Sequence, residues 1–147
     1  MGKIRFKKVL LAGVLFAIIA QIIHTLFAFG AMGFYTDPKY FSVWSKLMMP
    51  TAGPPPASFM AYSLTFGIIG GILIALGYSV LKKGVLGKTR AMKGLVYGLL
   101  VFLVGALPGY LAIILLINLP LMLVFLWAIE SLIIDLLGGM IIAWINK

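Results

Sequence analysis

Three residues with ionisable side chains lie inside long apolar runs of the sequence: His24, Glu130 and Asp135. An ionisable side chain is costly in the hydrocarbon core of a bilayer, so such residues indicate a functional site when the runs span a membrane. With a rise of about 1.5 Å per residue, His24 lies roughly 16 Å, and Glu130 roughly 15 Å, from the same end of a helical bundle. The sequence therefore predicts a contact between His24 and Glu130.

Asp135 lies further along the same helix as Glu130, near the level of Gln21, and we expect Gln21 and Asp135 to form a second contact. On a helical wheel Glu130 and Asp135 are about 140° apart, so both can line one interior only if the arc between them faces it. That arc carries Trp127, Ser131 and Gly138. The candidate intramembrane polar site then consists of His24, Gln21, Glu130, Asp135, Ser131 and Tyr110.

Carboxylates, an imidazole and hydroxyl groups in one layer could relay protons or a small cation. One histidine with two carboxylates also resembles a metal ligand set, but the offset between the carboxylates argues against a metal. Haem is not expected either, because its iron would need a second axial ligand besides the single histidine. We therefore expect neither a metal nor a cofactor. The alternative is that Glu130 and Asp135 are protonated packing residues that specify the register of the helices.

The sequence has no motif that would identify an enzyme. It contains no cysteine, no Ser-His-Asp order, no HExxH, no P-loop and no dinucleotide fingerprint. These absences favour a protein that is not an enzyme, but they do not decide the question. An intramembrane enzyme acting on a lipid or an isoprenoid stays open as a further alternative.

The composition is that of a membrane protein, because 63% of the 147 residues are hydrophobic and only 10% are charged. We expect one domain, residues 1–147, with an all-α fold of four transmembrane helices spanning about 9–35, 57–81, 94–117 and 119–145. The first run is too long for the apolar region of a signal peptide, so we expect it to be retained. Pro120 is expected to open the fourth helix, which makes the third and fourth helices a tight antiparallel hairpin.

Basic residues flank the apolar runs and predict the orientation. Ten of them fall on one side of the predicted bundle, and Lys39 and Lys46 fall on the other. The ten are Lys3, Arg5, Lys7, Lys8, Lys82, Lys83, Lys88, Arg90, Lys93 and Lys147. The positive-inside rule predicts a multi-pass protein of the cell membrane with both termini in the cytoplasm. Anionic lipid at that face is then the expected partner of the basic residues, and nucleic acid is not.

The external loop, residues 36–56, carries apolar residues at helical spacing between prolines. This pattern suits a short helix in the membrane interface, anchored by Trp44 and Tyr40, and it suits an irregular cap over the bundle equally well.

Small residues predict how the helices approach one another. Gly94, Gly98, Gly105 and Gly109 form a stripe on the third helix, and Gly67 and Gly71 form a pair on the second. Such glycines bring helices together either within one chain or between identical subunits. Pro108 is expected to kink the third helix. On the first helix the small and polar residues, His24 and Gln21 among them, are expected to face the bundle, and Leu15, Ile18, Ile19, Ile22, Ile23 and Leu26 are expected to face lipid.

Two classes of function remain. The first is translocation of a proton, a small cation or a small solute through a homo-oligomer that uses the His24, Glu130 and Asp135 layer. The second is a non-catalytic accessory or assembly subunit of a larger membrane complex.

Overall fold

The structure, a computed structural model, describes residues 5–51 and 53–146. Its elements in chain order are helix α1 (Phe6–Tyr35), a short 3-10 helix (Pro38–Val43), α2 (Ala57–Leu81), α3 (Arg90–Leu116) and α4 (Leu121–Ile145). These described ranges contain no strand. Lys3 and Lys147, which belong to the predicted cytoplasmic set, lie outside the described residues.

Within the described ranges, four helices are long and apolar enough to cross a membrane. This confirms the predicted all-α class and makes the chain a multi-pass membrane protein. The predicted span 57–81 coincides with α2, whereas α1 and α3 begin earlier than predicted, since Lys7, Lys8 and Arg90 continue the helices beyond the apolar runs. Pro120 precedes α4, and its carbonyl accepts the N–H of Leu123 at 2.9 Å.

The helices pack side by side in the order α2, α1, α4, α3. We call the end of the bundle at residues 36–56 the loop end, and the opposite end, where residues 82–89 connect α2 to α3, the basic end. At the basic end the Lys82 ammonium group donates to the Asn146 carbonyl oxygen at 3.1 Å, which ties α2 to the end of α4.

Glycines set the contact between α1 and α2. A Cβ at Gly71 would lie 2.4 Å from the Gly13 carbonyl oxygen, and a Cβ at Gly13 would lie 2.6 Å from the backbone nitrogen of Ile72. One turn further, Gly67 faces Ala17 at ordinary van der Waals distance. The two backbones therefore touch, as small residues permit in lipid.

The glycine stripe of α3 is divided between two environments. A Cβ at Gly98 would lie 2.0 Å from the backbone oxygen of Asp135, and one at Gly94 would lie 2.6 Å from the backbone oxygen of Gly139. At Gly105 and Gly109 no described atom lies within 4 Å of the Cβ position. The basic half of the stripe therefore packs within the chain, against α4, and the loop half is bare.

Pro108 changes the geometry of α3 at this boundary. Proline lacks a backbone N–H, and its ring collides with the carbonyl four residues earlier in a regular helix. The turn before it, Phe102–Ala106, is a π-helix, and the N–H of Leu107 bonds to the carbonyl of Phe102. A kink was predicted at Pro108, and the structure has a π-helical turn directly before this residue within a continuous helix.

An apolar core fills the basic half of the bundle. Phe16 packs over Gly138, where an added Cβ would lie 2.2 Å from the ring, and Ala20 and Ile134 lie beside it. Leu15, Ile18, Ile22 and Leu26 of α1 are exposed as predicted. Ile19 and Ile23 are partly buried instead, Ile23 against this core, because α1 contacts both α2 and α4 and buries a wider face than one neighbour would cover.

Candidate functional site

His24 and Glu130 meet between α1 and α4. The Nδ1 atom of His24 is hydrogen-bonded to Oε1 of Glu130, which confirms the predicted contact. The Glu130 side chain is 7% exposed and the His24 side chain is 50% exposed. Phe16 and Gly138 lie the same number of residues from His24 and Glu130, so the close contact between them fixes the register that pairs the two ionisable groups.

His24 stabilises the Glu130 carboxylate, which would be unfavourable in lipid without a partner. A buried carboxylate needs a hydrogen-bond donor or a counter-charge, and His24 supplies the first when neutral and both when protonated. The other ring nitrogen, Nε2, has no hydrogen-bond partner among the described residues.

Gln21 does not meet Asp135, and that prediction was wrong. The Gln21 amide instead joins α1 to α2: its oxygen accepts from Ser63 Oγ at 3.1 Å and its nitrogen lies 3.9 Å from the sulfur of Met60. The Asp135 side chain is buried, and it makes no hydrogen bond or ion pair with the rest of the described chain. The reason is the position of α4 between two helices: its Glu130 side chain is bonded to His24 of α1, whereas the Asp135 backbone lies against Gly98 of α3.

Tyr110 and Ser131 do come together. Their hydroxyl groups are hydrogen-bonded across the interface between α3 and α4. This bond lies beyond the π-helical turn, where α3 has few other polar contacts with α4, and it places the Tyr110 ring beside Glu130. Four of the six predicted site residues therefore form two hydrogen-bonded pairs. Gln21 lies next to them and is bonded to α2, and Asp135 is apart from them.

A cavity of about 500 Å³ lies above the pair in the loop half of the bundle. All four helices and the loop contribute to its wall, with His24, Gln21, Glu130 and Tyr110 supplying polar groups. Its position follows from the packing of α2. Tyr97 of α3 donates a hydrogen bond to the Ile74 carbonyl at 2.7 Å and closes the basic half, while no described hydrogen bond joins α2 to α3 at the loop end.

Three aromatic residues form one side of this cavity, and we call Tyr35, Trp44 and Trp127 the aromatic wall. The Tyr35 and Trp127 rings are stacked with centroids 6.4 Å apart, and Trp44 meets both edge to face at 5.4 and 6.2 Å. The Trp127 indole donates to the Tyr35 hydroxyl at 2.7 Å. The indole nitrogen of Trp44 is buried and has no partner among the described residues.

Sequence reasoning missed the aromatic wall. Trp44 was expected either in the membrane interface or in a cap, and Trp127 only marked an arc of α4. Tyr35 and Trp127 are 92 positions apart, and Trp44 belongs to a loop whose path no local pattern determines. The one available signal was that all three aromatic residues fall near the loop end of their predicted elements.

The electrostatics of the cavity are simple. Glu130 and His24 are its titratable groups apart from tyrosines, and none of its described lining residues is Lys or Arg. In the described part of the chain, no three His, Asp or Glu side chains come together as a metal site would require. The site can therefore hold a proton or a cationic ligand next to a nearly buried carboxylate.

The chain matches no known protein-family model, no curated protein and no solved structure. What the protein does must accordingly be inferred from the ionisable pair, the cavity and the aromatic wall.

Proposed function

We propose that this protein translocates a proton, a small cation or a small solute across a membrane, with the His24–Glu130 pair as its binding station. The observation that carries the proposal is a hydrogen-bonded ionisable pair that lines a 500 Å³ cavity inside a bundle of membrane-spanning helices. A polar pair that served packing alone would not need a cavity beside it, and ionisable residues in this setting commonly mark substrate or proton pathways.

A translocated ion or solute would have no open path from the His24–Glu130 pair to the basic end of the bundle. Phe16 and Ile134 lie between the cavity and the basic end, and both are buried in the apolar core. Asp135 is the next carboxylate towards the basic end, and it lies in the interface between α3 and α4. Passage therefore needs either a rearrangement of α3 and α4 or a path shared between subunits.

A homo-oligomer is the form that we propose. The loop half of α3 offers a bare glycine surface at Gly105 and Gly109, which would let a helix of a second copy approach closely. Both termini lie in the cytoplasm in this proposal, the basic end contacts anionic lipid, and the loop end is external. Residues 117–120 then form a tight hairpin turn between α3 and α4, and the 3-10 helix lies at the outer membrane interface.

Flux through proteoliposomes tests the proposal. Purified protein is reconstituted with a trapped pH indicator, and proton uptake is driven by a valinomycin-clamped potassium diffusion potential, with and without a sodium gradient. Glu130→Gln and Asp135→Asn are expected to lower the rate roughly tenfold or more, as removal of a relay carboxylate should. Asp37→Asn is the matched control, because Asp37 caps the 3-10 helix outside the cavity. Flux that is unchanged in both carboxylate variants would exclude the conduit.

A second candidate is an accessory or assembly subunit of a larger membrane complex. The observation that favours it is the exposure of the loop half of α3, where Val104, Leu115 and Leu116 are 77%, 83% and 81% exposed. A partner helix could cover this face as readily as lipid does. Native mass spectrometry of protein released gently from its own membrane separates the two, since co-release with larger subunits supports the accessory role and a homo-oligomer alone supports translocation.

A further inference from the structure

The geometry points to a ligand class for the cavity: we infer that it binds a lipophilic organic cation, such as a protonated amine with an aromatic or aliphatic body. Glu130 is the counter-charge and the aromatic wall holds the cationic group or the ring next to it. The inference rests on the proposed function, because it names the substrate class of the same site.

Charge selects the sign of the ligand. When His24 is neutral, the pair carries one negative charge on the nearly buried Glu130 side chain, and a bound cation offsets the cost of burying that charge. An anion would find no fixed positive charge, because the described lining residues include neither Lys nor Arg.

The donor atoms select an organic cation over an inorganic one. A calcium or magnesium ion requires about six oxygen ligands. Most of the wall is apolar, with Met32, Met48 and Phe59 among its members. Of the available oxygens, that of the Gln21 amide already accepts a bond from Ser63. A cation whose charge sits on a carbon-rich body loses little hydration on entry and gains apolar contacts instead.

The aromatic wall supplies the remaining attraction. The negative face of an aromatic ring attracts a cation, most strongly for Trp, and the attraction is stronger where the contact is desolvated. Three rings in mutual contact are also a rigid surface that needs no ordering on binding. A volume of about 500 Å³ lies within the range of roughly 300–1,000 Å³ that drug-sized ligands occupy.

Proton and ligand should compete for this site. A proton on His24 or on Glu130 removes the net negative charge that the ligand needs, so lowering the pH should weaken binding. The other titratable groups around the pair are Tyr35 on α1, Tyr62 on α2, Tyr110 on α3 and Asp135 on α4. Competition at one site is the simplest way to couple cation movement to proton movement in the opposite direction.

The test uses two probes of the same shape and opposite charge. Tetraphenylphosphonium and tetraphenylborate are titrated by equilibrium dialysis into the full chain in lipid nanodiscs, against empty nanodiscs. We expect saturable binding of the phosphonium ion and none of the borate ion. Glu130→Gln should weaken phosphonium binding roughly tenfold or more, because the bound cation then loses its counter-charge. Glu130→Asp keeps a carboxylate and should retain saturable binding, and Asp37→Asn should bind like the natural chain.

The outcomes distinguish this inference from the proposed function. Equal binding of the two probes, or phosphonium binding that Glu130→Gln does not change, overturns the inference. If Glu130→Gln fails to fold, the natural chain alone tests the inference. It should bind phosphonium and not borate, and phosphonium binding should weaken at low pH. Saturable phosphonium binding without carboxylate-dependent proton flux supports the ligand site and argues against proton translocation. Carboxylate-dependent proton flux without phosphonium binding keeps translocation and rejects the organic cation.

Discussion

At the scale of the residue, the His24–Glu130 bond joins two groups that are each unfavourable in lipid alone. Glu130 is almost fully buried, and its Oε1 atom is hydrogen-bonded to the imidazole of His24. Removing one member of a fully buried pair commonly costs about 3–5 kcal/mol, because the other is left without compensation. The His24 side chain is half exposed, so we expect the cost here at the lower end of that range. The bond is therefore a stability determinant as well as a candidate binding station.

A double-mutant cycle should show this dependence. We expect His24→Leu to lower the free energy of unfolding by about 3 kcal/mol, because it leaves the Glu130 carboxylate unpaired. Glu130→Gln should recover part of the loss, with a coupling energy of about 1–3 kcal/mol. The measurement is unfolding in mixed micelles, followed by circular dichroism. Additive effects of the two substitutions would show that the pair contributes no interaction energy.

The aromatic wall offers a second matched comparison. The Trp127 indole donates to the Tyr35 hydroxyl, whereas the buried Trp44 indole has no acceptor among the described residues. Trp127→Phe should therefore cost about 1–3 kcal/mol, because it leaves the buried Tyr35 hydroxyl without its donor. Trp44→Phe removes an unpaired buried donor and should be neutral or stabilising. Thermal unfolding of both variants in one detergent is the measurement, and a larger loss for Trp44→Phe would contradict the assignment.

The sequence alone predicted one of the two polar contacts, and the reason lies in the helical wheel. Depth along the helices placed His24 level with Glu130, and the small-residue face of α1 turned His24 inward, so this contact could be derived. The angle between Glu130 and Asp135 permitted either one shared interior or two separate interfaces. Only the packing order of the helices decides between these, and no local pattern in the sequence contains it.

At the scale of the element, α3 consists of two halves with different neighbours. Up to Gly98 its backbone lies against α4, and beyond the π-helical turn its glycines are bare. The stripe was predicted as continuous, which is correct for a regular helix. The π-helical turn rotates the residues that follow it relative to those before, so Gly105 and Gly109 no longer continue the line of Gly94 and Gly98. The sequence signalled this change only through Pro108.

Substitutions at the two ends of the stripe should differ. Gly98→Ala should destabilise the fold by about 1–3 kcal/mol, because its Cβ would lie 2.0 Å from the Asp135 backbone oxygen. Gly109→Ala meets no described atom within 4 Å and should be neutral, or stabilising by up to about 1 kcal/mol through helix propensity. Unfolding at protein concentrations that keep the chain monomeric is the measurement. Equal losses in the two variants would indicate that the stripe packs as one surface.

At the scale of the whole molecule, the helices define two chemically different ends. The basic end gathers eight basic residues of the described chain, and the loop end has Lys39 and Lys46. The eight are Arg5, Lys7, Lys8, Lys82, Lys83, Lys88, Arg90 and Lys93. The fold class and the number of spans were predictable, since they follow from hydrophobic runs of membrane length. The cavity was not, because it arises where α2 and α3 fail to meet at the loop end.

The orientation is testable because the chain has no cysteine, so a single introduced thiol reports one position. Ser45→Cys lies in the loop and Gly84→Cys lies at the basic end, and both positions are exposed. In intact cells, a membrane-impermeant maleimide should label the cysteine at position 45 and should reach the one at position 84 only after lysis. The reverse pattern would place the basic end outside.

The apolar core at Phe16 also determines where a membrane voltage would act on the protein. Moving one elementary charge across 100 mV is worth about 2.3 kcal/mol, and the voltage falls mainly across regions that polarise little. The cavity lies on one side of Phe16 and Gly138, so for the proposed translocation we expect most of the voltage drop between this contact and the basic end. Occupation of the cavity should therefore depend weakly on voltage, whereas passage beyond Phe16 should depend on it strongly. At saturating ligand, a current that still rises steeply with voltage would place the voltage-dependent step after occupation of the cavity, and a current that does not would contradict this expectation.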